Sequence, residues 1–254
     1  MVKKALTIAG FDPSGGAGIQ ADLKVFHALG VYGLSAVAAL TAQNSAGVAG
    51  VQPVEGRFLK KQLQILLADL TPDATKVGMV LTAGNVGIVA GVIRDYALKN
   101  VVLDPVMISS SGKRLSARTV PGLLKEEMLP FCTVITPNIH EASVLSDIKI
   151  TSKKDMEKAA VLLRALGPDT VIVTGGHLSG NAVDVVFDGS FHYLKARKQR
   201  GEFHGTGCIF SSALAAFLAK GFPVPAAANM AKEFMTRAFF KTYGTGRGMR
   251  LFVI

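Results

Sequence analysis

Residues 5–29 read ALTIAGFDPSGGAGIQADLKVFHAL, and the order of features in that run decides the fold. The apolar run 5–10 predicts a strand. Gly15-Gly16-Ala17-Gly18 predicts a tight turn, since backbone without a Cβ bends sharply. From Ile19 the period changes, and Ile19, Leu23, Phe26 and Leu29 fall on one helical face. Strand, glycine turn and helix together form the first unit of a parallel sheet.

The alternation continues along the chain. Extended structure is predicted over 31–40, a helix over 57–69, a strand over 75–80 and a helix over 85–97. A strand over 101–104, a helix over 117–128, a strand over 133–136, a helix over 153–166 and a strand over 170–174 follow. Residues 182–194, divided at Asp188-Gly189, carry hairpin chemistry. Helices over 208–220 and 224–243 close the chain. No linker, repeat or low-complexity tract interrupts this order. The expectation is a single α/β domain over residues 1–254, a three-layer α/β/α sandwich around a mostly parallel sheet with a late antiparallel addition.

Composition narrows the function classes. Of 254 residues, 49% are hydrophobic and 18% charged, which excludes a disordered chain. Two cysteines do not make a disulfide framework and point to a reducing cytoplasm. The most apolar stretch, 31–42, is about half of a membrane span and runs into Gln43 and Asn44. The first apolar run stops at Asp12-Pro13, too soon for a secretory signal. A soluble cytoplasmic protein with no membrane partner is expected. Net charge is +10, but the basic residues are scattered and the densest group, 195–200, has no aromatic interleaving. No nucleic-acid partner is expected, and an anionic substrate accounts for the excess as well.

Ligands of such sheets sit beyond the carboxyl ends of the strands. Polar and glycine-rich residues cluster at those ends: Gly10-Phe11-Asp12, Thr41 to Asn44, Gly78-Met79, Asp104-Pro105-Val106, Thr136-Pro137-Asn138 and Gly175-Gly176-His177. Residues 203–208, FHGTGC, open an apolar helix. Gly205, Thr206 and Gly207 would aim backbone N–H groups at one spot, where the helix dipole adds positive potential; a phosphoryl group suits it. Cys208 stands at the lip, where a helix start should lower a thiol pKa from about 8.5 and make it a base or acceptor for a substrate hydroxyl. The bland alternative is a small side chain packed on the sheet.

Asp104, with Asn138 and Glu141 after the next strand, offers oxygen ligands of the kind Mg²⁺ takes. The alternative is a capping Asn138 with a solvent-facing Glu141. The turn at Gly15–Gly18 is neither a Walker loop nor a dinucleotide fingerprint. It is either a tight connection or a close backbone approach to a small ligand, faced by Asp22 one turn into the helix. Cys132 is expected to be buried, and His204 to stabilise its loop rather than bind zinc.

Taken together, the segments TIAGFDPSGGAGIQADLKVFHALGVYG, LTAQN, KVGM, LDPVM, ITPNIHEA, TGGHL and FHGTGCIFSSALAAFLAKG resemble the ribokinase-like superfamily. They are most similar to its hydroxymethylpyrimidine and phosphomethylpyrimidine kinases of thiamine biosynthesis, and they run in order from residue 7 to 221. The resemblance implies transfer of the ATP γ-phosphate to 4-amino-5-hydroxymethyl-2-methylpyrimidine and then to its monophosphate. It implies a pyrimidine pocket of Gly10, Asp22, Gln43, Met79 and Val106, with Gln43 and Asp22 reading ring nitrogens and the amino group. Asp104 and Glu141 would serve Mg²⁺, with Asn138 nearby. Gly205 to Cys208 would form the anion hole, Cys208 standing where sugar-kinase relatives carry an Asp base. Asn138, Thr174 and Lys232 would meet ATP, Thr174 standing where the family usually has a lysine. A lysine often present among Ser109-Ser110-Ser111-Gly112 is missing, with Lys113 and Arg114 just beyond. A homodimer is also implied. The alternative readings are a pyridoxal or pyridoxine kinase of the same superfamily and a non-catalytic pyrimidine-binding relative.

Overall fold

The structure, a computed structural model, describes residues 2–109, 112–113, 115–176, 182–244 and 246–254. His177 of the sixth strand end, Leu178 of the TGGHL segment, Ser110, Ser111 and Arg114 lie outside the described residues. In chain order the strands are β1 (Lys4–Phe11), β2 (Tyr32–Asn44), β3 (Gly47–Pro53), β4 (Ala74–Val77), β5 (Val101–Leu103), β6 (Val134–Ile135), β7 (Thr170–Val173), β8 (Ala182–Phe187) and β9 (Phe191–Ala196). They form one nine-stranded sheet ordered β3-β2-β1-β4-β5-β6-β7-β8-β9. The six strands from β2 to β7 pair in parallel. β3 at one edge and the β8–β9 hairpin at the other are antiparallel, as the late hairpin signal predicted.

The central strands are apolar throughout because helices cover both of their faces. Alternation sorts their side chains: Val171 and Val173 of β7 enter one core cluster, Ile172 the other. The first layer holds α2 (Gly56–Asp69), α3 (Ala83–Asp95), α4 (Val120–Leu123), α5 (Ile139–Ser146) and α6 (Lys153–Arg164). The second holds α1 (Gly18–Ala28), α7 (Thr206–Ala219) and α8 (Val224–Ala238). α7 is buried along its whole length from Ile209 to Ala219, and its alanines let it lie close to the sheet. Among the described residues, no helix is long and apolar enough to cross a membrane.

Three local expectations need correction. The helix predicted over 117–128 starts at Val120, because Pro121 lacks an N–H and fits only a first turn; beyond Leu123 it widens to a π-type turn over Leu124–Met128. The helix predicted to reach residue 243 stops at Ala238. Arg250 bonds the Thr242 hydroxyl and carbonyl, and Thr242–Tyr243 pairs with Leu251–Phe252 as a ribbon, β10 and β11. β3 was not foreseen at all, being rich in Gly and capped by Pro53.

Candidate active site

Parallel pairing brings the carboxyl ends of six strands to one rim, and α7 starts at that same rim. Gly205 precedes α7 with φ of 87°, a left-handed conformation that glycine adopts without strain; a side chain there would overlap the Gly16 carbonyl. The first intrahelical bond of α7 runs from Ile209 N to Gly205 O at 3.0 Å. The amides of Thr206, Gly207 and Cys208 lie ahead of it and have no acceptor in the helix. Asp104, beyond the end of β5, faces this turn: a Cβ at Gly207 would stand 3.8 Å from both of its carboxylate oxygens. Ser211 of α7 donates to Asp104 Oδ2 at 3.1 Å.

Cys208 is half-buried at the expected place, but its chemistry is the reverse of the expectation. Burial pushes the thiol up to about 12, with the Asp104 and Asp22 carboxylates adding to the rise. The Lys76 ammonium and the Gly18 backbone amide oppose it and lose. Cys208 is therefore a thiol, and it donates to Asp104. The helix-start effect is outweighed by burial, with two acids that the fold brings from distant segments adding to it.

Asp22 does not face the pocket. It is fully buried and accepts from Thr7 Oγ1, Ser212 Oγ and Lys76 Nζ, the last at 3.0 Å. Lys76 is also fully buried, 3.9 Å from Asp104 Oδ2. Burial alone would lower its pKa; the Asp22 carboxylate first, with Asp104, holds it above the ordinary value. Lys76 thus bridges two carboxylates beneath α7. A lysine in the otherwise buried strand ATKV is the only sequence signal for it, and sequence reasoning missed it.

Asn138 and Glu141 form a capping box at the start of α5, with Glu141 N to Asn138 Oδ1 and Asn138 N to Glu141 Oε2 both at 3.0 Å. The capping alternative holds for Asn138, but Glu141 is not solvent-facing: it is only 4% exposed. Burial first and then Asp104 push its carboxyl up to about 8. Burial likewise raises Asp104, against the Lys76 charge. Two neighbouring buried carboxyls, both raised, make a place where a cation would relieve repulsion.

Met79 and Val106 meet in one small apolar cluster with Ala39 and Leu115. Gly10, at the β1 bulge, lies against Met79, whose methyl occupies the space of a Cβ at residue 10. Gln43, at the β2 bulge, donates to Asp12. Gly10, Met79 and Val106 are thus brought together, Gln43 reaches Asp12 just beyond Gly10, and Asp22 is fully buried on other partners.

Thr174 and Asn138 stand side by side in a parallel bridge. Lys232 of α8 reaches Asp184 Oδ2 at 2.6 Å, and Asp184 Oδ1 accepts from Gly175 N at 3.0 Å. Asp184 is a further residue that sequence reasoning missed; an acid inside the apolar strand AVDVVF was its signal. Lys232 also lines a cavity of about 380 Å³ with Leu194, Ala196, Asn229, Thr236 and Arg237. β9 ends at this cavity, and β9 runs parallel to β7, so the cavity opens toward the same rim.

The family model described as phosphomethylpyrimidine kinase matches residues 12–252. The hydroxymethylpyrimidine/phosphomethylpyrimidine kinase of Bacillus subtilis is 42% identical over 97% of this chain and 93% of its own length. The thiamine biosynthesis bifunctional protein of Geobacter sulfurreducens is 42% identical over 96% of this chain, which spans about half (50%) of that longer protein. The structure of an ADP complex of Bacillus subtilis pyridoxal kinase superposes with a TM-score of 0.93 at 38% identity, covering 99% of this chain and 97% of that one.

Proposed function

The chain belongs to the phosphomethylpyrimidine kinase family, and from that premise we propose that it transfers the ATP γ-phosphoryl group to 4-amino-5-hydroxymethyl-2-methylpyrimidine and then to the monophosphate. The observation that carries this is the meeting, on one rim, of three α7 amides with no acceptor in the helix, the Asp104 carboxyl and the Met79–Val106 wall. A flat ring of this size packs against the wall that Met79 and Val106 form beside Gly10, and Gln43 reads its polar edge. The hydroxymethyl group then points to the start of α7.

Phosphoryl transfer asks for positioning and charge stabilisation rather than covalent help. The amides of Thr206, Gly207 and Cys208 meet the charge developing on the transferred group. Cys208, whose own hydrogen goes to Asp104, orients the acceptor hydroxyl by accepting its hydrogen bond. The hydroxyl proton passes to an oxygen of the transferred phosphoryl group as the new O–P bond forms and the bond to ADP breaks. Asp104 and Glu141 fit Mg²⁺: they are two raised, neighbouring carboxyls, Asp104 facing Gly207, and this ion takes one or two carboxylates together with phosphate oxygens. When bound, it would supply positive charge beside the phosphates. Asn138, Thr174 and Lys232 follow the nucleotide away from α7, with Lys232 held by Asp184 and the base lying in the cavity beside α8. The Thr174 hydroxyl stands in for a lysine contact there. The protein acts as a cytoplasmic homodimer in this reading.

A coupled ADP-release assay with the pyrimidine alcohol, its monophosphate and pyridoxal tests the proposal. Turnover of both pyrimidines ahead of pyridoxal is expected; no turnover of either would overturn it. The similarity to a pyridoxal kinase supports the second reading, a vitamin B6 alcohol as acceptor, which a higher kcat/KM for pyridoxal would establish.

A further inference from the structure

Asp12 and His204 are 192 positions apart, yet His204 Nε2 lies 2.8 Å from Asp12 Oδ2, and both side chains are buried. Asp12 immediately follows β1 and organises the turn after it. Its Oδ1 accepts from Ser14 N and Ser14 Oγ, at 2.8 and 2.7 Å, and its Oδ2 from Ala17 N at 2.8 Å. Burial by itself would raise its carboxyl; His204, Ser14 and Gln43 hold it far below the usual carboxylate range. An ionised carboxylate only accepts, so the hydrogen in the contact belongs to His204 Nε2. The His204 ring edge lies over Gly16, in the space a side chain at that position would take. Its backbone N–H donates to Arg250 O at 3.1 Å. His204 Nδ1 is buried without a hydrogen-bond partner among the described residues, a cost that an apolar ring filling the same space would not carry.

Gly205, the next residue, sits flush on Gly16 and has no side chain to fix the direction in which α7 starts. The nearest anchored side chain ahead of the three amides left without a helical acceptor is therefore His204. On the acceptor side, the same Asp12 takes a hydrogen bond from Gln43. We propose that the Asp12–His204 pair is a clasp that sets the aim of the α7 amides relative to the acceptor pocket, which makes His204 a positioning residue for phosphoryl transfer. This rests on the proposed placement of the phosphoryl group at Thr206–Cys208. The clasp ties the turn that borders the pyrimidine to the turn that meets the phosphoryl group, so loosening it misdirects the amides while the Met79–Val106 wall stays intact.

The test is steady-state kinetics on the full chain with the pyrimidine alcohol and ATP. For His204→Ala, kcat is expected to fall about 10²-fold, the scale of a small misplacement of catalytic groups. KM for the pyrimidine should stay within about threefold, since the ring wall is untouched. His204→Gln, whose amide can still donate to Asp12, should recover at least about tenfold over the shorter His204→Asn, and that comparison decides the matter if the alanine variant fails to fold. Adding Asp12→Ala to His204→Ala should cost little more than the worse single change, because the two act as one unit. The clasp is overturned by a His204→Ala kcat within about threefold of wild type, by equal rates for the Gln and Asn variants, or by multiplicative losses in the double variant. Gly207→Ala, which has room for its methyl, separates the two layers of inference. If it turns over like wild type, the placement of the phosphoryl group falls. If it is slow while His204→Ala is not, only the clasp falls.

Discussion

Cys208 illustrates how a residue's chemistry depends on neighbours far away in sequence. A thiol at a helix start, taken alone, should ionise readily. Here it is desolvated, which raises the thiol most, and the Asp104 and Asp22 carboxylates add to the rise against the Lys76 ammonium. Its proton stays on sulfur at neutral pH. Cys208→Ala should therefore lower kcat, by about tenfold or more, through lost orientation of the acceptor hydroxyl, with KM for the pyrimidine nearly unchanged. In the native protein at pH 7.5 both cysteines should react slowly with a disulfide reagent, since burial also raises the Cys132 thiol. A rapid burst of one thiol would show that the sulfur is ionised and that the two acids do not control it. FHGTGC and LDPVM mark the candidate site residues in the sequence, but their protonation is not legible there. The charges responsible come from β1's helix, β4 and β5, and only tertiary pairing of Asp22 with Lys76 brings them together.

Glu141 belongs to an element, since its carboxylate returns to the Asn138 amide and starts α5. Its carboxyl is raised in the folded chain, from 4.5 to about 8. A raised acid contributes stability that is complete below pH 4.5 and is lost as pH climbs through about 8. In chelator, the melting temperature should fall across that window, and Glu141→Gln should flatten the fall while keeping the cap, because glutamine also serves in a capping box. An equally steep fall in the variant would remove Glu141 as its source. Elements themselves were legible wherever one signal dominated. The apolar runs gave the parallel strands, and the change of period after Gly18 gave α1. Signals failed where a distant contact decided the end of an element. α8 has helical periodicity past Ala238, yet Arg250 captures Thr242 and turns the chain into a ribbon. β3 exists because β2 is long enough to pair with it, and its own residues do not announce it.

At the scale of the molecule, the proposed nucleotide and acceptor sites span one rim from β2 to α8, so occupancy should be felt by the whole sheet. A ligand at one hundred times its Kd adds about 2.7 kcal/mol to folding stability. For a chain of this size, that corresponds to a rise of roughly 5–10 °C in melting temperature. ADP with Mg²⁺ should give that rise by scanning fluorimetry, and ADP with chelator a smaller one. Equal shifts in both conditions would detach the cation from the nucleotide site. The net charge of +10 is compatible with this picture: anionic phosphates approach a basic protein whose acids at the rim are buried and partly neutralised.

The helices α7 and α8, drawn from the last fifty or so residues, cover a sheet face built from residues that precede them, Ala5, Val102, Val134 and Ile172 among them. A chain emerging from the ribosome therefore completes its strands well before their second covering arrives. Until about residue 238 has cleared the exit tunnel, that face is wet and adhesive, and the Asp22–Lys76 pair waits for Ser212. Premature termination anywhere in α7 or α8 leaves a sheet finished in outline but with one face only partly covered, by α1 and whatever of α7 has been made, a natural substrate for chaperones and proteases.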